Sequence, residues 1–294
     1  MTTGRAYAEM HIAVLLFGLT AILGDLIALS GMVIVWWRVL LTSVSLLFFR
    51  RVYRHLRAMP AATRWRLMGI GVIVGLHWIC FYGAIKLSSA SVTLICMATT
   101  SLFTAFLEPL FFRKPIEWLQ VGLGLMVIPG MAFIVNYTPP EMWWGIAVAV
   151  LSALLAVVFS ILNKRYVATT DTYTMTLVEL GSAWAFISLL LPFFVWGEGG
   201  LQFWPTGWED VVYLLILALL CTTLAYILSL RALRILSAFA SNLTINLEPV
   251  YGIVLAFFLL DDYQELSPNF YIGVGIIVAA VFAYPVLERW RTAE

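Results

Sequence analysis

Apolar residues run along this chain in long blocks, without the one-sided periodicity of a soluble helix or the alternation of a half-buried strand. Ten blocks stand out, at about 11–29, 31–49, 67–86, 88–107, 117–135, 143–163, 172–195, 210–229, 236–259 and 269–287. Each is near the ~20 apolar residues that carry an α-helix across a ~30 Å hydrocarbon core. Mostly short connections separate them, so the pattern predicts an all-α polytopic membrane protein with ten transmembrane helices. The first block is preceded only by Arg5 and has no small-residue cleavage site after it, so it reads as a retained helix and not a signal peptide.

Charge orients the blocks. With the N-terminus in the cytoplasm, every Lys and Arg except Arg38 and Lys86 falls on the inner side, the run Arg50 to Arg57 included. Glu141, Glu198, Glu209, Asp210, Asp261, Asp262 and Glu265 fall on the outer side. This positive-inside bias predicts a multi-pass protein of the plasma (inner) membrane with both termini cytoplasmic. The basic run then reads as a topology-setting loop, not a nucleic-acid site. Trp65, Trp118, Trp143, Trp144, Trp196, Trp204, Trp208 and Trp290 sit near block ends, where amphipathic rings favour the membrane interface.

Composition agrees. The chain is 63% hydrophobic and 11% charged, with mean hydropathy +0.98 and net charge +1. That leaves too little polar surface for a soluble domain and no charge excess for a nucleic-acid partner. Cys80, Cys96 and Cys221 lie inside apolar blocks, and His11, His55 and His77 are far apart, so neither a disulfide framework nor a metal centre is expected. No GxSxG or HExxH motif points to an enzyme, and no cofactor is implied.

The sequence repeats weakly. AIKLSSAS (Ala84 to Ser91) is echoed by ALRILSAF (Ala232 to Phe239), and QVGLGLMV (Gln120 to Val127) by YIGVGIIV (Tyr271 to Val278). The halves, 1–138 and 139–294, hold five blocks each. Five is odd, so the second half enters the membrane from the opposite side, giving two inverted repeats around a central cavity near the midplane.

Arg38 in the second block, the polar stretch near Ser101 in the fourth, Glu248-Pro249 in the ninth and the small-residue motifs of the fifth and tenth resemble the drug/metabolite transporter superfamily, EamA type. Within it, the His77-Trp78 and Phe81-Tyr82 cluster is most similar to the YddG-type aromatic amino-acid exporters. The resemblance implies a secondary transporter exporting small metabolites, amino acids including aromatic ones. The family's usual proline in the fourth block is replaced by Ser101, which puts a kink there in doubt.

His77 lies ~15 Å into its block, near the midplane. It reads as part of a cavity wall, or as a neutral histidine bonded to a neighbouring helix. Trp78, Phe81, Tyr82, Met97, Thr100, Ser101, Ser160, Asn163, Tyr226, Asn242 and Asn246 are the other candidate substrate-binding residues; the polar ones could equally bond helix to helix. Arg38 and Glu179 occupy matching repeat positions at depths ~6 Å apart, and so could pair or share a polar network, with Asp25 as a local alternative partner for Arg38. Glu248 is a candidate proton carrier, or a glutamate satisfying backbone donors at a kink. Glu108 reads as a surface partner of Arg113 and Lys114. Gly69, Gly71 and Gly75 read as close-packing positions, with Gly71-x-x-x-Gly75 the usual spacing of a helix crossing.

The expected partners are small-molecule substrates and the bilayer, with no nucleic acid, and the chain is expected to act as a monomer. The alternatives are a multidrug or lipophilic-cation exporter, which needs an accessible membrane carboxylate such as Glu179 or Glu248, and an integral-membrane enzyme.

Overall fold

A computed structural model describes residues 1–88, 90–134, 140–197, 202–259 and 268–293, some of them by backbone alone. Glu198, Asp261, Asp262 and Glu265, and the side chains of Asp25 and Trp196, lie outside the described residues.

All the regular secondary structure among the described residues is helical. Helix α1 (Thr3–Leu26) is followed by α2 (Gly31–Leu47), and α3 (Arg50–Ala58) turns 89° away from α2. The basic run read as a loop is therefore a short amphipathic helix. Its Val52 is buried, and its Arg51 pairs with Asp171 and lies 5.3 Å from the Tyr173 ring centroid. Asp171 also accepts from the amide and hydroxyl of Thr174, capping the helix it precedes. Helix α4 (Ala61–Leu87) is the longest. Then come α5 (Ala90–Met97), α6 (Thr99–Phe112) and α7 (Trp118–Ile134).

The second half opens with α8 (Trp143–Val167) and α9 (Thr172–Gly197). Helix α10 (Trp208–Ala218) runs through a π turn, Leu219–Leu224, into α11 (Ala225–Leu233). Helices α12 (Ala238–Ile245), α13 (Glu248–Leu259) and α14 (Pro268–Ala293) complete it.

Among the described residues, five helices are individually long and apolar enough to cross a membrane, or six with α2 and α3 as one bent span. The ten-block reading exceeds this count for a visible reason. The fourth and ninth blocks are each broken in two, and of α7 and α14 only the stretches Trp118–Pro129 and Ile272–Glu288 enter the count.

The two breaks have different causes. Between α12 and α13, Pro249 has no N–H to offer the Ile245 carbonyl. Between α5 and α6 there is no proline, so the doubt about a kink is answered by other chemistry. Thr99 and Ser101 turn their hydroxyls onto the carbonyls of Cys96 and Ala98, at the break itself, and compete with the helical ladder.

Helix α4 packs on α8 and α9, α2 on α9 and α10, and α1 on α11 and α13; α6 packs on α7 and α8, and α7 on α14. Two crossings are tight enough to need glycine. A Cβ on Gly71 would sit 2.1 Å from the Glu179 carbonyl oxygen of α9, and one on Gly18 2.8 Å from the Gly252 nitrogen of α13. Gly75 is looser, 3.1 Å from Phe186, and Gly69 is not a close-packing position, since a Cβ there would meet nothing within 4 Å. Trp65, Trp118, Trp143, Trp144, Trp204, Trp208 and Trp290 are exposed.

Candidate functional site

A cavity of about 200 Å³ opens between the helices, walled by α1, α2, α4, α8, α11 and both sides of the breaks in the fourth and ninth blocks. Of the candidate substrate-binding residues, His77, Trp78, Phe81, Tyr82, Met97, Thr100, Ser160, Asn163, Tyr226, Asn242 and Asn246 face it. Ser101 does not. It is fully buried, and its hydroxyl accepts from Asn246 Nδ2 at 3.2 Å.

His77 combines the two readings given to it. Its ring lines the cavity, and Nδ1 lies 3.0 Å from the Ser152 carbonyl and 2.9 Å from the Ser152 hydroxyl of α8. The same hydroxyl is 2.9 Å from the His77 carbonyl. The arrangement that satisfies these contacts has Nδ1–H donating to Ser152 and the serine hydroxyl donating back. It leaves Nε2 as an acceptor on a ring that faces the cavity. Phe81 and Phe159 flank the imidazole with centroids at 6.2 and 5.5 Å, and Phe81 stands edge-on to Tyr82. Tyr82 lies so close over Gly31 that a Cβ there would come within 2.5 Å of its ring.

Arg38 is buried on α2, with its guanidinium 5.1 Å from the Trp78 ring centroid. Its Nε donates to Thr222 Oγ1 at 3.1 Å, inside the π turn. That turn is shaped to receive α2. Thr222 and Thr223 donate to carbonyls five residues back, Thr42 donates to the Ala218 carbonyl, and Ser45 lies 3.4 Å from the Thr223 hydroxyl. Positions 38, 42 and 45 share one helical face, so a single stripe of α2 docks on the turn.

The proposed Arg38–Glu179 pair does not form; helix depth placed both near the midplane but said nothing of the direction in which each points. Glu179 is fully buried behind the wall. Its Oε2 accepts from Tyr226 Oη at 2.6 Å and Asn163 Nδ2 at 3.2 Å. Arg38 instead shares the cavity with Glu248 and lies within Coulombic range of it. Among the described residues neither joins an ion pair, and no backbone donor reaches the Glu248 carboxylate.

The polar residues of the breaks bond across helices. Ser160 of α8 donates to Asn242 of α12, which donates to Thr104 of α6. Thr100 lies 3.5 Å from Asn246 Oδ1. These side chains therefore hold helices together and line the cavity at once.

Glu108 is not a surface partner of Arg113 and Lys114. It is buried, and accepts from the amides of Ala238 and Phe239 at 3.2 and 2.8 Å, capping α12. Lys164 donates to the Leu233 and Leu236 carbonyls at the end of α11. One turn is thus clamped by an acid on its amides and a base on its carbonyls. The sequence reading missed Ser152 and Thr222, which hold His77 and Arg38, and the contribution of Met10, Phe17 and Thr20 of α1 to the wall.

The EamA-like transporter family matches the chain twice, over residues 6–136 and 143–284. The chain belongs to that family, and is a multi-pass membrane transporter of small solutes. One solved crystal structure is similar in fold, with a TM-score of 0.79 at 16% sequence identity, over 98% of this chain and 99% of its own. No curated protein matches by sequence.

Proposed function

We propose that this transporter exports zwitterionic metabolites, amino acids including aromatic ones, as the YddG-type exporters that its third block resembles do. The observation that carries this reading is the joint placement of Arg38 and Glu248 on one aromatic-lined cavity, neither joined to an opposite charge. A bound amino acid offers its carboxylate to Arg38 and its ammonium to Glu248 and the Nε2 of His77. Trp78, Phe81, Tyr82 and Phe159 take the side chain. Intramembrane charges mark substrate pathways when they face a cavity.

Transport proceeds by alternating access between two inverted five-helix repeats, 1–138 and 139–294, with both termini cytoplasmic. Three observations support the repeat. The family match falls once in each half. The helix breaks fall in the fourth and ninth blocks, which are equivalent positions. The main packed pairs also have counterparts when the halves are exchanged: α4 on α8 answers α1 on α11, and α6 on α8 answers α1 on α13.

A lipophilic-cation exporter is the second reading, favoured by the unbonded carboxylate of Glu248 in an aromatic setting. The volume, about 200 Å³, argues for the smaller metabolites, since drug-sized sites run to roughly 300–1,000 Å³. Counterflow in proteoliposomes with labelled phenylalanine, threonine and tetraphenylphosphonium separates the two. Phenylalanine exchange lost in Arg38→Gln and in Glu248→Gln is the expected result. Tetraphenylphosphonium flux without amino-acid flux would replace this reading by the second.

A further inference from the structure

The fully buried carboxyl of Glu179 has an unusual set of partners. Both recorded donors, Tyr226 Oη and Asn163 Nδ2, go to Oε2. Oε1 is buried with no hydrogen-bond donor, and so is Oδ1 of the same Asn163. An ionised carboxylate so placed would hold a full charge in low dielectric with one oxygen bare and a second bare acceptor beside it. One added hydrogen removes both defects. A carboxylic acid and a primary amide form a cyclic pair in which the amide N–H donates to the acid carbonyl and the acid O–H donates to the amide oxygen. The Asn163 Nδ2 to Oε2 bond is one half of that pair, and Oε1 and Oδ1 are the two atoms that the other half joins.

We propose that Glu179 is the proton-binding site of this transporter. In this conformation it is a neutral acid with its proton on Oε1, paired to Asn163, and releasing that proton during the transport cycle couples solute movement to a pH gradient. The coupling step rests on the transport reading above; the proton's presence does not.

The surroundings fit. Among the described residues no cation stands beside the carboxyl, and Tyr226 of α11 is the one titratable group that contacts it. Helix α4 offers Gly71 to the same turn, α2 offers Ser43 near Gly181, and Arg51 of α3 is engaged with Asp171. Tyr226 and Asn163 both line the cavity, so the proton's route to cavity water is one residue thick. When the proton leaves to that water, the carboxylate keeps the Tyr226 and Asn163 donors; when it returns, the acid–amide pair closes again. Glu248, open to the cavity, stays free for the substrate.

Glu179→Gln tests this directly, because an amide at 179 forms the same cyclic pair with Asn163 but cannot release a proton. The variant is expected to melt at or above the parent's temperature. Its infrared difference spectrum against the parent should show loss of a protonated-carboxyl C=O band. Phenylalanine counterflow should persist, and flux driven by an imposed pH gradient should fall to the rate without one. Asn163→Ala supplies a second reading, shifting the same band by removing its partner. An unchanged carboxyl band in Glu179→Gln overturns the proposal, as does gradient-driven flux equal to the parent's. If neither protein exchanges any amino acid, the transport reading fails while the infrared band still decides whether Glu179 holds a proton.

Discussion

The α4–α9 crossing makes a prediction of opposite sign at two glycines only two residues apart. At Gly71 a methyl group would stand 2.1 Å from the Glu179 carbonyl oxygen, more than an ångström short of the 3.4 Å at which ordinary contact begins, and 2.8 Å from its carbon. The Ser182 hydroxyl, also 2.1 Å away, can rotate, but it already bonds the Met68 carbonyl across the crossing at 3.1 Å. A backbone carbonyl cannot rotate, so the helices must separate. Overpacking of this kind costs about 1–3 kcal/mol, and Gly→Ala returns at most about 1 kcal/mol of helix propensity. Gly69 has nothing within 4 Å of its would-be Cβ, so only the favourable term remains there. In detergent, Gly71→Ala should lower the midpoint of thermal unfolding, and Gly69→Ala should leave it unchanged or raise it. Equal midpoints for the two variants would refute the close crossing. Because the displaced carbonyl belongs to Glu179, Gly71→Ala should also weaken transport in folded protein, which solute flux per monodisperse molecule would show.

Ser152→Ala removes the hydroxyl that holds both His77 Nδ1 and its carbonyl; a stability loss of about 1 kcal/mol and a raised KM for phenylalanine are expected, measured by melting and by concentration-dependent exchange. Tyr226→Phe removes a 2.6 Å bond to Glu179 and should cost about 1–3 kcal/mol in the parent and the same in a Glu179→Gln background, whose carbonyl oxygen accepts the same bond; a markedly smaller loss in the Gln background of this double-mutant cycle would show that the parent carboxyl is ionised. Lys164→Met strips donors from the Leu233 and Leu236 carbonyls and Glu108→Ala strips the acceptor from two amides of α12; each should cost about 1–2 kcal/mol, and limited proteolysis should locate the loosening at the turn between α11 and α12.

What was legible in the sequence followed from one-dimensional physics. Block length gave spanning helices, the spacing of Asn242 and Asn246 put both on one face, and the Gly71-x-x-x-Gly75 pattern located a real crossing. The depth of His77 and of the aromatics after it sufficed to place them on the cavity. What was not legible concerns direction around a helix axis and local backbone chemistry. Arg38 and Glu179 sit at similar depths, yet one turns toward Thr222 and the other toward Tyr226, and nothing in either helix's own sequence sets that difference. The break after Met97 falls at two hydroxyls, Thr99 and Ser101, each common in an unbroken membrane helix. Glu108 looked like an interfacial acid because its partners are backbone amides, which no residue code announces.

The π turn at Leu219–Leu224 carries one residue more than a regular helix of the same rise needs. A chain shortened by one position there can close into an ordinary α-helix while α10 and α11 keep their faces. What such a deletion forfeits is the hydroxyl seat beneath Arg38: the guanidinium would lose its anchor and swing free over Trp78. The length of this segment, more than the identity of any one residue in it, is thus what aims the cavity's positive charge.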